Sequence, residues 1–180
     1  MTATLDIHAG AAAFGDAQHP TTALLLTALE AIDTAEFQPA HILDMGCGSG
    51  ILALRAAQKF PQARVIAADI ARSAVEATRE NAAHNQLDIT VLHSDGFRDP
   101  TIAAHAPYDM LFMNILAEPL LQLAHAAITH LAEEGVLMLS GILAHQETAV
   151  RDAYEGLGLA LAHRLSTPEW VALIYQRTVA

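Results

Sequence analysis

Three glycines in five residues, Gly46, Gly48 and Gly50, follow an apolar run that contains an acid, His41-Ile42-Leu43-Asp44-Met45. With three side chains removed, the turn tolerates positive φ and lets a ligand come close to the backbone. The Ala/Leu-rich run from Ser49 to Phe60 reads as a helix that Pro61 ends. Unpaired N–H groups and the positive end of a helix dipole therefore meet at the turn. Such a turn suits a ligand that is nucleotide-like, rich in hydroxyls or carries a carboxylate. The glycines fall at i, i+2 and i+4, which is not the G-x-G-x-x-G dinucleotide spacing, and no G-K-[ST] ending of a P-loop follows. The bland alternative is a glycine-rich βα turn that holds nothing.

A second acid and a carboxamide add to the pattern. Ala63 to Ile70 reads as the next buried strand, and Asp69 stands at its end, 23 residues beyond Gly46. That is close to the spacing at which an acid accepts hydrogen bonds from ribose hydroxyls. Asp44 and Asp69 both lie at the carboxyl ends of strands, where open α/β sheets bind ligands. Tyr108 to Met113 reads as a further strand, followed by Asn114-Ile115-Leu116-Ala117. Asn114 carries a donor and an acceptor, so at the end of a central strand it can align an amine nucleophile, or it can be an ordinary turn residue. A third strand over Leu87–Leu92 leads into Ser94-Asp95-Gly96, where Asp95 either faces a ligand or caps a loop.

The elements that position these groups alternate. Pro20 fits the first position of an apolar helix over Thr22–Ile32, with His19 as a low-ranking cap. Ala71–Asn85 is amphipathic, with Val75 and Ala82 inward and Leu87 beyond them. Arg98–Pro107 is a loop or short helix. Leu120–Leu131 is a helix, Glu133-Glu134-Gly135 a turn and Val136–Ser140 a strand. Gln146–Leu157 is a helix near a glycine cap at Gly156 or Gly158. Leu159–Leu165 and Trp170–Arg177 form a hairpin. This order predicts an α/β, Rossmann-like, doubly wound sheet of seven strands with the last one antiparallel.

The 180 residues suit one domain, with Met1–Ala12 as a frayed or partly ordered lead. The chain is 53% hydrophobic, which excludes a disordered chain, and its apolar runs are too short to span a bilayer. No basic leader precedes Ala13, and the single cysteine, Cys47, excludes an internal disulfide framework. The expected compartment is the cytoplasm. Nine Lys and Arg against twenty Asp and Glu give a net charge of −11, which argues against direct nucleic-acid binding. The acidity either attracts a basic protein partner or serves solubility. The ten histidines, His125 and His130 among them, show no metal-ligand spacing, so no metal is expected. Cys47 has no base spaced to activate it and reads as a small packing residue.

The run Leu43-Asp44-Met45-Gly46-Cys47-Gly48-Ser49-Gly50, with the acid at Asp69, resembles the first motif of class I S-adenosylmethionine-dependent methyltransferases and its partner acid. A longer series of motifs occurs in order: Ala13-Phe14-Gly15, His19-Pro20-Thr21-Thr22, Gly46 to Ala53, Asn114 to Ala117 and Leu139 to Leu143. It resembles the bacterial ribosomal protein L-eleven methyltransferases over nearly the whole chain. The resemblance implies S-adenosyl-L-methionine as cofactor. It implies cofactor contacts from Thr22, Asp44, Gly46, Gly48, Asp69, Asp95 and Asn114, with Asn114 also aligning the acceptor.

It further implies methylation of lysine side chains or an N-terminal amine of a ribosomal protein. The family's additional N-terminal substrate-docking domain is expected to be absent from this chain. Where the family reads F-G-T-G ahead of His19, this chain has Phe14-Gly15-Asp16-Ala17, a stiffer and more acidic lid. The alternatives are a relative that acts on another protein or a small molecule, and a non-catalytic cofactor-binding module. A nicotinamide oxidoreductase is disfavoured by the glycine spacing.

Overall fold

The structure is a computed structural model, and it describes residues 5–7 and 19–177. Seven strands occur in the chain: β1 (His41–Met45), β2 (Arg64–Asp69), β3 (Thr90–His93), β4 (Tyr108–Asn114), β5 (Leu131–Leu143), β6 (Leu159–Ser166) and β7 (Trp170–Arg177). Among them lie α1 (Pro20–Ala31), α2 (Ile51–Lys59), α3 (Arg72–His84), α4 (Pro100–Ala104), α5 (Ala117–His130) and α6 (Glu147–Glu155). The strands form one sheet in the order β3-β2-β1-β4-β5-β7-β6. β3, β2, β1, β4 and β5 pair in parallel, and β7 runs antiparallel between β5 and β6. The expected doubly wound seven-stranded α/β architecture, with its antiparallel last strand, is the one observed.

Successive strand residues point to opposite faces, and the central strands are apolar on both, as sheets covered by helices on each side require. Ile42, Val65, Met110 and Met138 pack with Leu25 and Leu29 of α1 and Ile51 and Leu52 of α2. Their neighbours Leu43, Ile66, Leu111 and Leu137 pack with Ile102 of α4, Leu120 and Ala124 of α5, and Val150 and Tyr154 of α6. Two covered faces hold the carboxyl ends of β1, β2, β4 and β5 in fixed relation. No described helix is long and apolar enough to cross a membrane.

Several boundaries differ from the sequence reading, each for a local reason. β3 begins at Thr90 rather than Leu87 because the Leu87 N–H donates to Ala82 O at 3.0 Å and is spent closing α3. α5 begins at Ala117, three residues earlier than expected, because Pro119 sits in its first turn, where the missing N–H costs nothing. The turn expected at Glu133-Glu134-Gly135 lies inside β5. Glu134 has φ +63, and the register against β4 shifts there. Gly156 keeps a right-handed conformation, and the positive φ at the end of α6 falls at Gly158. Of the lead segment, Leu5–Ile7 is described. The Asp6 N–H donates to Asn85 Oδ1 at 3.0 Å, and the Asp6 carboxylate lies 2.9 Å from His84 Nε2. The rest of the lead and Phe14–Ala17 lie outside the described residues.

Two buried tyrosines offer a contrast that checks the packing of α6 on the sheet. Tyr154 and Tyr175 stack at 5.9 Å between ring centroids. The Tyr154 hydroxyl donates to Leu120 O at 2.9 Å, whereas the Tyr175 hydroxyl is buried without a partner. Chemical denaturation should therefore show Tyr154→Phe losing about 1 kcal/mol and Tyr175→Phe unchanged or slightly more stable.

Candidate active site

The glycine turn is a folded object in its own right. Gly46, Gly48 and Gly50 take φ of +76°, +57° and +81°, values that glycine adopts without strain. The Gly46 and Cys47 N–H groups donate to Ala68 O at 2.7 and 3.1 Å, which ties the turn to β2. The Gly50 N–H donates to Cys47 O at 2.8 Å, so α2 starts at Ile51 rather than at Ser49. From below, α3 braces the turn: Thr78 Oγ1 donates to Gly48 O at 3.0 Å and Asn81 Nδ2 donates to Ser49 O at 2.8 Å. The sequence reading missed both residues. Their signal is a polar pair at i, i+3 on the face of α3 that also carries Val75. Cys47 is buried, its Sγ 3.3 Å from Thr78 Oγ1. Burial pushes its thiol well above the usual range, so it is an inert packing group.

The two acids behave differently. Asp69 is partly buried, with Oδ2 accepting the Gly48 N–H at 3.0 Å and Oδ1 accepting the Ala71 N–H at 2.8 Å. Each oxygen keeps a second lone pair for a ligand hydroxyl. Asp44 is 1% exposed. Its Oδ2 accepts the Ala53 N–H of α2 at 3.0 Å, and its Oδ1 is buried without a partner. Burial pushes its carboxyl up to about 7 and the nearby Asp69 charge adds to this, against the Ala53 N–H that lowers it.

Across β1 from Asp69, the end of β4 brings Asn114 to α1. Asn114 Nδ2 donates to Thr22 Oγ1 at 3.2 Å. Thr22 is buried, as is its neighbour Thr21. Ser140, which pairs with Asn114 in register, donates from Oγ to Thr21 O at 3.1 Å. The start of α1 is further held by His19: its Nδ1 accepts the Thr21 N–H at 3.4 Å, and its ring meets Trp170 edge-on at 5.4 Å. His19 thus caps α1 despite its rank. Neither Ser140 nor Trp170 was assigned this role; Ser140 lies in the Leu139 to Leu143 motif, but each acts on a segment far away in sequence.

Asp95 is the outlier. It lies at the end of β3, but it is exposed and ion-paired with Arg98. The loop-capping role open to it belongs to Asp99, whose Oδ1 accepts the Thr101 N–H at 2.8 Å. The structure therefore brings Thr22 and Asn114 together on the β4 side of β1 and Gly48 and Asp69 together on the β2 side, with Asp44 in β1 and Gly46 just past its end between them. A depression of about 480 Å³ lined by Pro61, Arg64, Asp88 and His105 lies at the amino ends of β2 and β3, the opposite edge of the sheet. Among the described residues no group of three or more His, Cys, Asp or Glu side chains is placed to hold a metal.

With this geometry fixed, the comparisons with known proteins are specific. The family model for ribosomal protein L11 methyltransferase (PrmA) matches residues 2–178. The chain belongs to that family. Within it, the chain is 38% identical over 177 residues to the ribosomal protein L11 methyltransferase of Caulobacter sp. (strain K31), covering 98% of this chain and 60% of the relative. To that of Brucella abortus (strain S19) it is 40% identical over 172 residues, covering 94% and 59%. The chain thus spans about three-fifths of the length of these relatives. The crystal structure of the ribosomal protein L11 methylase from Lactobacillus delbrueckii subsp. bulgaricus superposes with a TM-score of 0.81 at 31% identity, covering 93% of this chain and 82% of that one.

The buried Asp44 makes a testable demand on pH. Its carboxyl titrates near 7 in the folded chain and near 3.8 when unfolded. The folded state therefore binds the extra proton between these values, and stability falls as pH rises through that window. The loss between pH 4 and pH 8 is bounded by about 4 kcal/mol. Denaturant unfolding at pH 5 and pH 8 should show this decline in the wild type and a much flatter response in Asp44→Asn.

Proposed function

We propose that this chain is an S-adenosylmethionine-dependent N-methyltransferase that transfers methyl groups to primary amines of a protein, a lysine side chain or an N-terminal amine, with ribosomal protein L11 as the acceptor. The observation that carries the reading is the pairing of a glycine turn hydrogen-bonded to Asp69 with a carboxamide, Asn114, held by Thr22 on the adjoining strand.

The residues present suit this donor. The turn offers backbone uncovered by side chains. The spare lone pairs of Asp69 suit ribose hydroxyls. The orphaned Oδ1 of Asp44 leaves an unmet acceptor beneath the turn, and a ligand that bears cationic ammonium and sulfonium groups would favour the ionised form of a carboxyl that burial otherwise pushes up to about 7. Gly46, Gly48, Asp69 and Thr22 would hold the donor, with Asp44 beneath them. Asp95, exposed and paired with Arg98 just beyond β3, would meet the donor from that edge of the site.

When bound, the donor supplies a methyl group already activated on a sulfonium, so the remaining task is alignment with a neutral amine. Asn114 performs it. Its amide nitrogen is committed to Thr22 Oγ1, and its carbonyl oxygen is left to accept an amine N–H and so aim the nitrogen lone pair. Thr22 fixes the carboxamide and, with Thr21 and Ser140, seats α1 over the strand ends, which excludes water. No side chain need act as a strong base if the amine arrives unprotonated, and a net charge of −11 draws cationic, lysine-bearing acceptors to the surface.

Calorimetric titration tests the donor reading. S-adenosylmethionine and S-adenosylhomocysteine should bind the wild type at micromolar levels, Asp69→Ala should weaken both at least tenfold, and NADH should not bind. Asn114→Ala should keep donor affinity within a few-fold while methyl transfer to ribosomal protein L11 falls about 100-fold or more. NADH binding in place of the donor would overturn the reading, as would donor binding without transfer to the ribosomal protein.

A further inference from the structure

Two apolar side chains stand out in water at the strand ends. Leu116 is 66% exposed and Ile70 64%, the most exposed of the large hydrophobic residues described. Leu116 lies two residues beyond Asn114, so their Cα atoms are at most about 7 Å apart.

Leu116 is also the wrong residue for its place in the fold. It is the N-cap of α5, with φ −61° and ψ 154° and no side-chain cap bond. Leucine ranks far below Ser, Thr, Asp and Asn at that position. Its exposure is not fraying. On one side, Ile115 is wedged against two glycines: a Cβ on Gly46 would lie 2.3 Å from Ile115 Cγ2, and a Cβ on Gly141 would lie 2.3 Å from Ile115 O. On the other side, Ala117 is buried, and the Leu116 carbonyl accepts the Leu120 N–H at 3.1 Å. The loop is locked, and it presents a leucine to solvent beside the carboxamide. A residue that breaks two local rules on a rigid scaffold points to function.

We infer that Leu116 is the acceptor-contact residue, a wall against which the methylene stem of an incoming lysine lies while Asn114 takes its amine. The inference rests on the proposed amine methylation and names the part of the acceptor that the site reads. A lysine stem is four carbons long and lies readily along apolar surface while its nitrogen stays in a polar site. Leu116 adds its contact in the substrate complex before the methyl moves, so its effect belongs in KM rather than in kcat.

Four forms of the full chain test this: wild type, Leu116→Ser, Leu116→Met and Leu157→Ser. Leu157 is 41% exposed and precedes β6 at the opposite edge of the sheet. Each is assayed for methyl transfer to ribosomal protein L11, for S-adenosylmethionine affinity by calorimetry and for thermal midpoint. Leu116→Ser should raise KM for the protein about tenfold, with kcat within twofold and donor affinity unchanged. It should also raise the midpoint by about 2–4 °C, because serine can cap α5 through the Glu118 N–H. Leu116→Met should keep KM within twofold, and Leu157→Ser should leave KM unmoved. An active wild type with an unchanged KM in Leu116→Ser overturns this inference alone, as does a parallel loss of donor affinity. A wild type that binds the donor but leaves the ribosomal protein unmethylated overturns the acceptor reading and this inference with it.

Discussion

The crest of the sheet is held together by one close approach. Ile115, just past the end of β4, packs into the space left by two missing Cβ atoms, Gly46 after β1 and Gly141 within β5. Both glycines also have φ near +80°, so any other residue would be strained as well as crowded. Three strand ends thereby become one rigid unit. Asn114 sits at one end of the wedge and Leu116 at the other. The glycine turn is usually regarded as making room for a ligand, but here Gly46 first makes room for Ile115. That contact sets the spacing between turn and carboxamide. A loose β4–α5 loop could place neither against a ligand held to within a fraction of an ångström, which alignment chemistry requires.

Around that wedge the polar groups are satisfied from beneath, which leaves the outward side of the turn open. The Gly48 and Ser49 carbonyls are taken by Thr78 and Asn81, and the Gly48 N–H by Asp69. An unpaired buried backbone group would cost about as much as a lost hydrogen bond, so the bracing by α3 is what makes so irregular a turn stable. Asp44 is the exception. One of its oxygens is left without a partner, and burial raises its pKa instead. A polar group left incompletely satisfied in an otherwise satisfied region is where a fold gives up stability for a ligand.

The sequence displayed the repeating part of this arrangement and hid the cooperative part. β1, β2 and β4 were legible because each is an apolar run bounded by Gly, Pro or an acid, and the turn was legible because glycine spacing is local. Gly46, Gly48, Asp69 and Asn114 could be named for the same reason, whereas Thr22 was named through the family resemblance alone, its own neighbourhood reading only as a helix start. Thr78 and Asn81 were not legible. They share a helical face with Val75, and their partners lie about thirty residues away. Ser140 and Trp170 support α1 from more than a hundred residues downstream. Gly141 lies inside a strand, where glycine normally signals weakness rather than a close approach. The start of β5 was hidden because Glu133-Glu134-Gly135 has the composition of a turn, and it makes one without ending the strand.

Topology explains why these residues meet at all. The strand order reverses at β1 and β4: the chain winds outward from β1 through β2 to β3, then returns to add β4 and β5 on the other side. The connections leaving β1 and β4 therefore depart to opposite faces of the sheet, and a crevice opens between them at the carboxyl ends. The glycine turn leaves on the face covered by α1 and α2, and the Asn114–Ala117 loop leaves on the face covered by α5 and α6. Every candidate residue except Asp95 sits on α1 or at the ends of β1, β2 and β4. Asp95, beyond the outermost strand β3, is the one the structure leaves in solvent. Distance from the reversal point, more than residue type, separates the acids built into this crest from the acid beside it. The depression at the amino ends of β2 and β3 has no such crossing behind it.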